Sequence, residues 1–360
     1  MTISRYRAVL AGVCFVLLSS TGSAGGPKDT VSYAHDPSWP TVLDQFQWGV
    51  AEDKEATNST SATGVGVDRQ HGLVYVLVRT APNVRVFRED GTFVRAWSPA
   101  KVVNVHMLHV DPDSNIWIAD SGAHTVTKYT PEGKVLLTLG TFGEPGMDGK
   151  HFNAPTDIAT TADGQTLFVS DGYGNNRVAK FDRSGSYLGM WGGAKPGTEP
   201  GEFILPHSIT VVDQKVYVAD RSGGRIQAFD LDGHFIDEWR DTIVPWGIAE
   251  YQQRLYVIGV PFKQDSAYPT TTALTQVTIT DPYKAMLPPK GQIITVFDRA
   301  GGIVQTILLP QGQTFGEVDW VHGVDVGANG DIYLVDVMGN HIQKWNKTVF
   351  PENNVPVSTQ

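Results

Sequence analysis

Three histidines share one setting in this sequence. His106, His207 and His322 each stand directly before an apolar stretch: Met107-Leu108-His109-Val110, Ser208-Ile209-Thr210-Val211 and Gly323-Val324-Asp325-Val326. Each also precedes an aspartate by nearly the same interval (106 to 120, 207 to 220, 322 to 336). Three imidazoles around one point leave a fourth position open, as in a catalytic zinc site, and nitrogen ligands favour zinc-like ions. The plainer alternative is three separate histidines, each satisfied by water or backbone. His109 lies three residues after His106, so on a strand it faces the other way and reads as packing. His124 follows the Asp120 turn and reads as a supporting or surface group. His35, His71, His151, His234 and His341 share no such register.

Convergence of residues so far apart in the chain requires a repeated architecture, and the sequence contains one. An apolar strand, a polar turn and a strand ending Val/Ile-x-Asp recur. They are followed by a Gly/Asn loop, a strand of the type Val-x-Lys-Phe, a turn such as Pro131-Glu132-Gly133 or Leu231-Asp232-Gly233, and a last strand. Six copies are read: 64–97, 106–140, 155–192, 206–240, 245–307 and 321–347. Short alternating strands at this period, without helical periodicity, predict an all-β, six-bladed β-propeller. The first strand of each blade lines the central channel. Alternate blades therefore place His106, His207 and His322 in threefold arrangement, with Thr156 and Trp246 at the matching positions of the third and fifth blades. The sixth copy lacks an outermost strand. Asp44-Gln45-Phe46-Gln47-Trp48-Gly49 resembles the end of a blade, as in Leu188-Gly189-Met190-Trp191-Gly192, and is expected to be the N-terminal strand that closes the ring. Residues 261–290, rich in Thr and Pro, form an insertion in the fifth blade.

The whole chain fits this frame. With 41% hydrophobic and 18% charged residues it has the composition of a globular protein, and 38 glycines and 21 prolines suit many turns. A formal net charge of -10 argues against nucleic acid or an anionic membrane surface as partner. Arg5 and Arg7, the apolar run 8–18 and the small residues Gly22-Ser23-Ala24 predict a signal peptide over 1–24. The apolar run is short for a permanent membrane span, and an uncleaved anchor is the alternative. An exported location, periplasmic or secreted, follows. Cys14 lies inside the leader, so a cleaved chain holds together without disulfides. The expected organisation is then a linker over 25–43, a propeller over 44–348 and a tail over 349–360.

Several motifs carry a family resemblance: Pro155-Thr156-Asp157, Val169-Ser170-Asp171-Gly172-Tyr173-Gly174-Asn175-Asn176-Arg177, Pro206-His207-Ser208, and Val218-Ala219-Asp220-Arg221-Ser222-Gly223-Gly224-Arg225. Through them the chain resembles the peptidyl-α-hydroxyglycine α-amidating lyases, propellers of the NHL-repeat type. The resemblance implies zinc held by His106, His207 and His322, a catalytic Tyr173, and active-site arginines at Arg79 and Arg221. Arg79 is read as standing where other blades have their aspartate. It also implies cleavage of a C–N bond in a small molecule or peptide ending in an α-hydroxyglycine-like group, giving an amide and glyoxylate. The chain departs from the family where a disulfide brackets the tyrosine loop, since those positions are Asn153 and Gly174. It departs again where an aspartate follows the third histidine as a calcium ligand, since that position is Gly323, so calcium is not expected. The competing readings are a non-catalytic NHL propeller that binds a protein or glycan, and a propeller lactonase or other hydrolase built on carboxylates and calcium.

Overall fold

The computed structural model describes residues 30–41, 61–261, 292–312, 314 and 316–350. Among these, 24 strands form six antiparallel sheets of four, and no helix occurs. The sheets occupy 62–97, 105–139, 157–193, 206–240, 243–308 and 321–350, matching the six repeats read from the sequence. Five of the sheets are four-stranded meanders, and the first strands of successive blades touch one another around the whole ring, the first blade meeting the sixth.

A blade has two faces and each must be covered. The strands are correspondingly apolar on both sides. In Leu73–Val78 every residue after the first is buried, as are all residues of Ile116–Asp120 and Ile332–Asp336. The buried apolar residues fall into six clusters, one at each blade interface. Burying such side chains contributes roughly 1.5–3 kcal/mol apiece, which drives each blade onto its neighbour.

The outer strands add a second repeating contact. Trp97, Trp191 and Trp239 lie over Gly133, Gly233 and Gly301, the turn glycines of the next blade. A Cβ there would come within 2.6, 2.5 and 2.4 Å of the indole. These glycines also have φ of 90, 86 and 81°, so the turn and the indole both require a residue without a side chain. Trp39 makes the same contact with Gly91 at the junction of the sixth and first blades.

The ring is closed by a strand from the N-terminal side, but not by the segment expected. Thr30–His35 pairs antiparallel with His341–Phe350 and occupies the outermost position of the sixth blade. The segment 44–49 lies outside the described residues. From Trp345 to Phe350 the outer edge of the sixth blade is paired with Thr30–His35, so the stretch read as linker contains a closing strand. The expected leader 1–24, most of the expected fifth-blade insertion and the tail beyond Phe350 also lie outside the described residues.

The recurring aspartates are structural ties. Asp120 accepts the N–H groups of Val103 and Asn104 at 2.8 and 2.7 Å, and Asp220 those of Ile204 and Leu205 at 3.0 and 2.8 Å. Asp336 accepts those of Asp319 and Trp320 at 2.6 and 2.9 Å. Each carboxylate at the end of a second strand thus pins the connector that leads into the first strand of its own blade, two or three residues before the histidine. That hairpin closure is the physical source of the nearly equal His-to-Asp intervals. Asp220 is fully buried and also accepts from Arg225 Nε at 2.9 Å. Burial pushes its carboxyl up against the opposing pull of Arg225. Asp220→Ala would leave two backbone N–H groups and a buried guanidinium short of an acceptor. We expect a loss of about 3 kcal/mol in urea unfolding, because removing one partner strands the other.

Candidate metal and active site

Each of the three histidines sits at a β-bulge. The pairing register shifts at Val105/Met107, Pro206/Ser208 and Val321/Gly323, leaving His106, His207 and His322 out of the ladder. A bulged residue is free to be re-aimed, which is why bulges recur beside active sites. Blades one and five have the same irregularity at Thr63 and Trp246, and Thr156 precedes the first strand of blade three. The six channel positions therefore alternate Thr63, His106, Thr156, His207, Trp246, His322.

The residues between the histidines hold them. His106 Nδ1 donates to the Thr156 carbonyl at 2.6 Å, His207 Nδ1 to that of Trp246 at 2.6 Å, and His322 Nδ1 to that of Thr63 at 2.7 Å. Every imidazole is thus bonded to the following blade in the same way. The bond fixes the proton on Nδ1 and leaves the Nε2 lone pair for a ligand, the arrangement that metal-binding histidines use. The rings are buried and lie 4.6, 4.8 and 5.1 Å apart by centroid, with interplanar angles of 76 to 80°. Their donor atoms lie within 4.8 Å of one another, the one such group among the described residues.

All three rings are held neutral. Burial pushes His106 and His207 well below the ordinary imidazole value; a proton on His322 would next oppose one on His106, and the Arg221 charge opposes protonation of His207. His322 is pushed down to about 3 by burial, against its bond to the Thr63 carbonyl, with Arg79 and Arg221 acting in the same direction as burial. Three neutral, tautomer-fixed, convergent imidazoles fit a zinc-like ion.

Tyr173 joins the group. Its hydroxyl lies 2.9 Å from His106 Nε2 and 3.1 Å from His207 Nε2. Arg79 and Arg221 flank the site but not as the sequence suggested. Val78, not Arg79, stands where other blades have aspartate: Val78 lies opposite Ala62 as Asp120 lies opposite Val105. Arg79 is the next residue, with its N–H on the Ser61 carbonyl, and Arg221 is its equivalent, with its N–H on the Leu205 carbonyl. The two arginines therefore occupy the same position in blades one and four, which face each other across a six-membered ring. Arg79 Nε donates to the Val105 carbonyl at 3.2 Å, and the Arg221 guanidinium stacks 3.7 Å over Trp246.

Other residues were misread or missed. His109 does not turn away from the channel. It bonds Thr160 Oγ1 at 3.0 Å and lines a central cavity of about 370 Å³ below the histidines, because the bulge at His106 adds a residue and flips the alternation. Asp325 accepts from Val67 and Val326 N–H and pairs with Arg69 at 2.7 Å, and both side chains line the same cavity. The carbonyls of Thr63, Thr156 and Trp246 carried no sequence signal beyond their register, because a backbone oxygen is the same in every residue. Asn153 and Gly174 do face each other: Gly174 N–H donates to the Asn153 carbonyl at 2.9 Å.

One prediction concerns the metal-free protein. An unfolded histidine takes its proton near 6.5 and folded His322 near 3, so between those values the unfolded chain binds more protons. Wild type should therefore lose stability relative to His322→Gln as pH falls through this window. Urea midpoints of both proteins across it would measure the effect.

A family described as a 6-bladed beta-propeller matches residues 155–281. NHL repeat-containing protein 3 of Mus musculus is 30% identical over 364 residues, covering 95% of this chain and 96% of that protein. The probable peptidyl-alpha-hydroxyglycine alpha-amidating lyase of Caenorhabditis elegans is 38% identical over 156 residues, covering 42% of this chain and 44% of that protein. Among solved structures, a gluconolactonase from Xanthomonas campestris superimposes with a TM-score of 0.55 at 14% identity over 81% of this chain and 87% of its own, a likeness of fold. By its full-length similarity and its six closed blades, the chain belongs to the NHL-repeat six-bladed β-propellers.

Proposed function

We propose that the protein is a metal-dependent carbon–nitrogen lyase, cleaving a peptidyl-α-hydroxyglycine or related carbinolamide to an amide and glyoxylate. The observation that carries this reading is the Tyr173 hydroxyl lying 2.9 and 3.1 Å from the Nε2 atoms of two of three convergent imidazoles. The partial similarity to the probable amidating lyase of Caenorhabditis elegans supports it.

His106, His207 and His322 would hold the ion. A bound zinc-like ion supplies a Lewis acid that makes a substrate hydroxyl more acidic. The chain's own residues account for the remaining work. Tyr173, as its phenolate, takes the hydroxyl proton as general base; the C–O bond becomes the aldehyde of glyoxylate, the C–N bond breaks, and the proton passes from Tyr173 to the departing amide nitrogen. Arg79 and Arg221, from opposite blades, bind the substrate carboxylate, for which the guanidinium fork is shaped. Arg221 keeps its plane fixed by stacking on Trp246. The leader expected over residues 1–24 would place this activity outside the cytoplasm.

A binding module remains the second reading, favoured by the full-length similarity to NHL repeat-containing protein 3, whose name states a repeat and no reaction. A lactonase built on clustered carboxylates has less support, since the ligand-like cluster among the described residues is made of imidazoles.

Zinc-loaded protein is expected to release glyoxylate from α-hydroxyhippurate and to stop when a chelator is added. Tyr173→Phe should lower kcat by about 10²- to 10⁴-fold, the usual weight of a general base. His207→Ala should lose both bound zinc and turnover. A zinc-loaded protein that yields no glyoxylate, or a His207→Ala variant with full activity, would overturn the lyase reading in favour of the binding module.

A further inference from the structure

Tyr173 projects from a loop that is pressed from both sides. A Cβ on Gly172 would come within 2.0 Å of the Pro206 carbonyl, just before His207, and one on Gly174 within 2.2 Å of the Asn153 side chain. The loop thus rests on the turn at 153–154. Tyr173 N–H donates to the Ala154 carbonyl at 3.3 Å, and Gly174 N–H to that of Asn153 at 2.9 Å. The turn is itself unfavourable, because Ala154 has φ of 59°, a region that residues with a Cβ avoid. Something must hold it there.

Two side chains reach it. Asp171 accepts the Asn153 N–H at 2.9 Å, the tie already seen in other blades. The second has no counterpart among the recurring aspartates. Ala154 N–H donates to His124 Nδ1 at 2.9 Å, across from blade two. His124 is also in the left-handed region, with φ of 60°, and its carbonyl is packed so closely on Gly140 that a Cβ there would lie 2.4 Å away. An imidazole that accepts at Nδ1 carries its proton on Nε2, the opposite tautomer to the three rings of the candidate metal site.

We propose that His124 is a positioning residue for Tyr173. By accepting the Ala154 N–H it stabilises the left-handed turn on which the tyrosine loop rests, and so sets where the phenol meets the imidazoles. It acts through Ala154 and touches neither the candidate metal site nor the substrate. The role in catalysis rests on the lyase reading; the clasp itself does not.

The test uses the full chain with His124→Gly, which tolerates the positive φ but removes the acceptor, and His124→Asn, which tolerates it and offers an amide oxygen in place of Nδ1. Hydrogen exchange over 153–156 and 171–175 should quicken about tenfold in the glycine variant and stay near wild type in the asparagine variant, as loss of one hydrogen bond predicts. If the lyase reading holds, kcat should fall about tenfold in the glycine variant with KM within about twofold, and the asparagine variant should restore it. In wild type, imidazole nitrogen-15 shifts should show His124 as the Nε2–H tautomer, a readout that does not depend on either variant folding. Wild-type exchange rates in the glycine variant, an asparagine variant as unprotected as the glycine one, or an Nδ1–H tautomer at His124 would each overturn the proposal. Absence of glyoxylate release from wild type would remove the lyase reading while leaving the exchange and tautomer measurements to decide the clasp.

Discussion

A blade of this protein cannot cover itself. Its strands are apolar on both faces, so each face must meet another blade, and the last must meet the first. Closure is therefore the constraint on which the other features depend. Thr30–His35 supplies it by completing the sixth sheet, and Trp39 reinforces it over Gly91. Once six blades close, residues at one register of alternate blades have to converge on the axis. Histidines about a hundred positions apart in the chain then become neighbours with centroids about 5 Å apart.

Convergence alone would not make a ligand set. Buried imidazoles without partners would be free to rotate and to change tautomer. The bulge at each histidine and the carbonyl of the next blade remove that freedom, so one hydrogen bond serves both as a blade-to-blade tie and as the choice of tautomer. Burial and the nearby arginines then disfavour protonation, which keeps the Nε2 lone pairs available. The polar groups at the channel mouth are organised by backbone geometry as much as by side-chain identity.

The cationic groups follow the same logic of equivalent positions. Arg79 and Arg221 occupy one structural position in two opposed blades, and reading Arg79 as a substitute for aspartate missed this by one residue. The repeat is imperfect in sequence at that point, because Val78 fills the position of the tie. Blade one keeps its strand pairing and gives up the carboxylate. In blade four both features are present, with Asp220 as the tie and Arg221 as the site residue.

The sequence by itself determined the repeat, the number of blades and the alternation that brings His106, His207 and His322 together, while Tyr173 was indicated only by the family resemblance of its loop. The repeat and the alternation follow from local patterns: strand alternation, turn glycines and the nearly equal His-to-Asp intervals all report on hairpins within a single blade. Tertiary structure decided what depends on contacts between blades. Which N-terminal segment closes the ring was settled by pairing along His341–Phe350, and a likeness of Asp44–Gly49 to other blade ends carried no information about that edge. The side of the strand that His109 faces was decided by a bulge, which adds one residue and leaves no mark in composition. The carbonyls that orient the metal-site rings and the N–H that reaches His124 belong to the backbone, which is chemically identical at nearly every position, so only their location in space gives them a role.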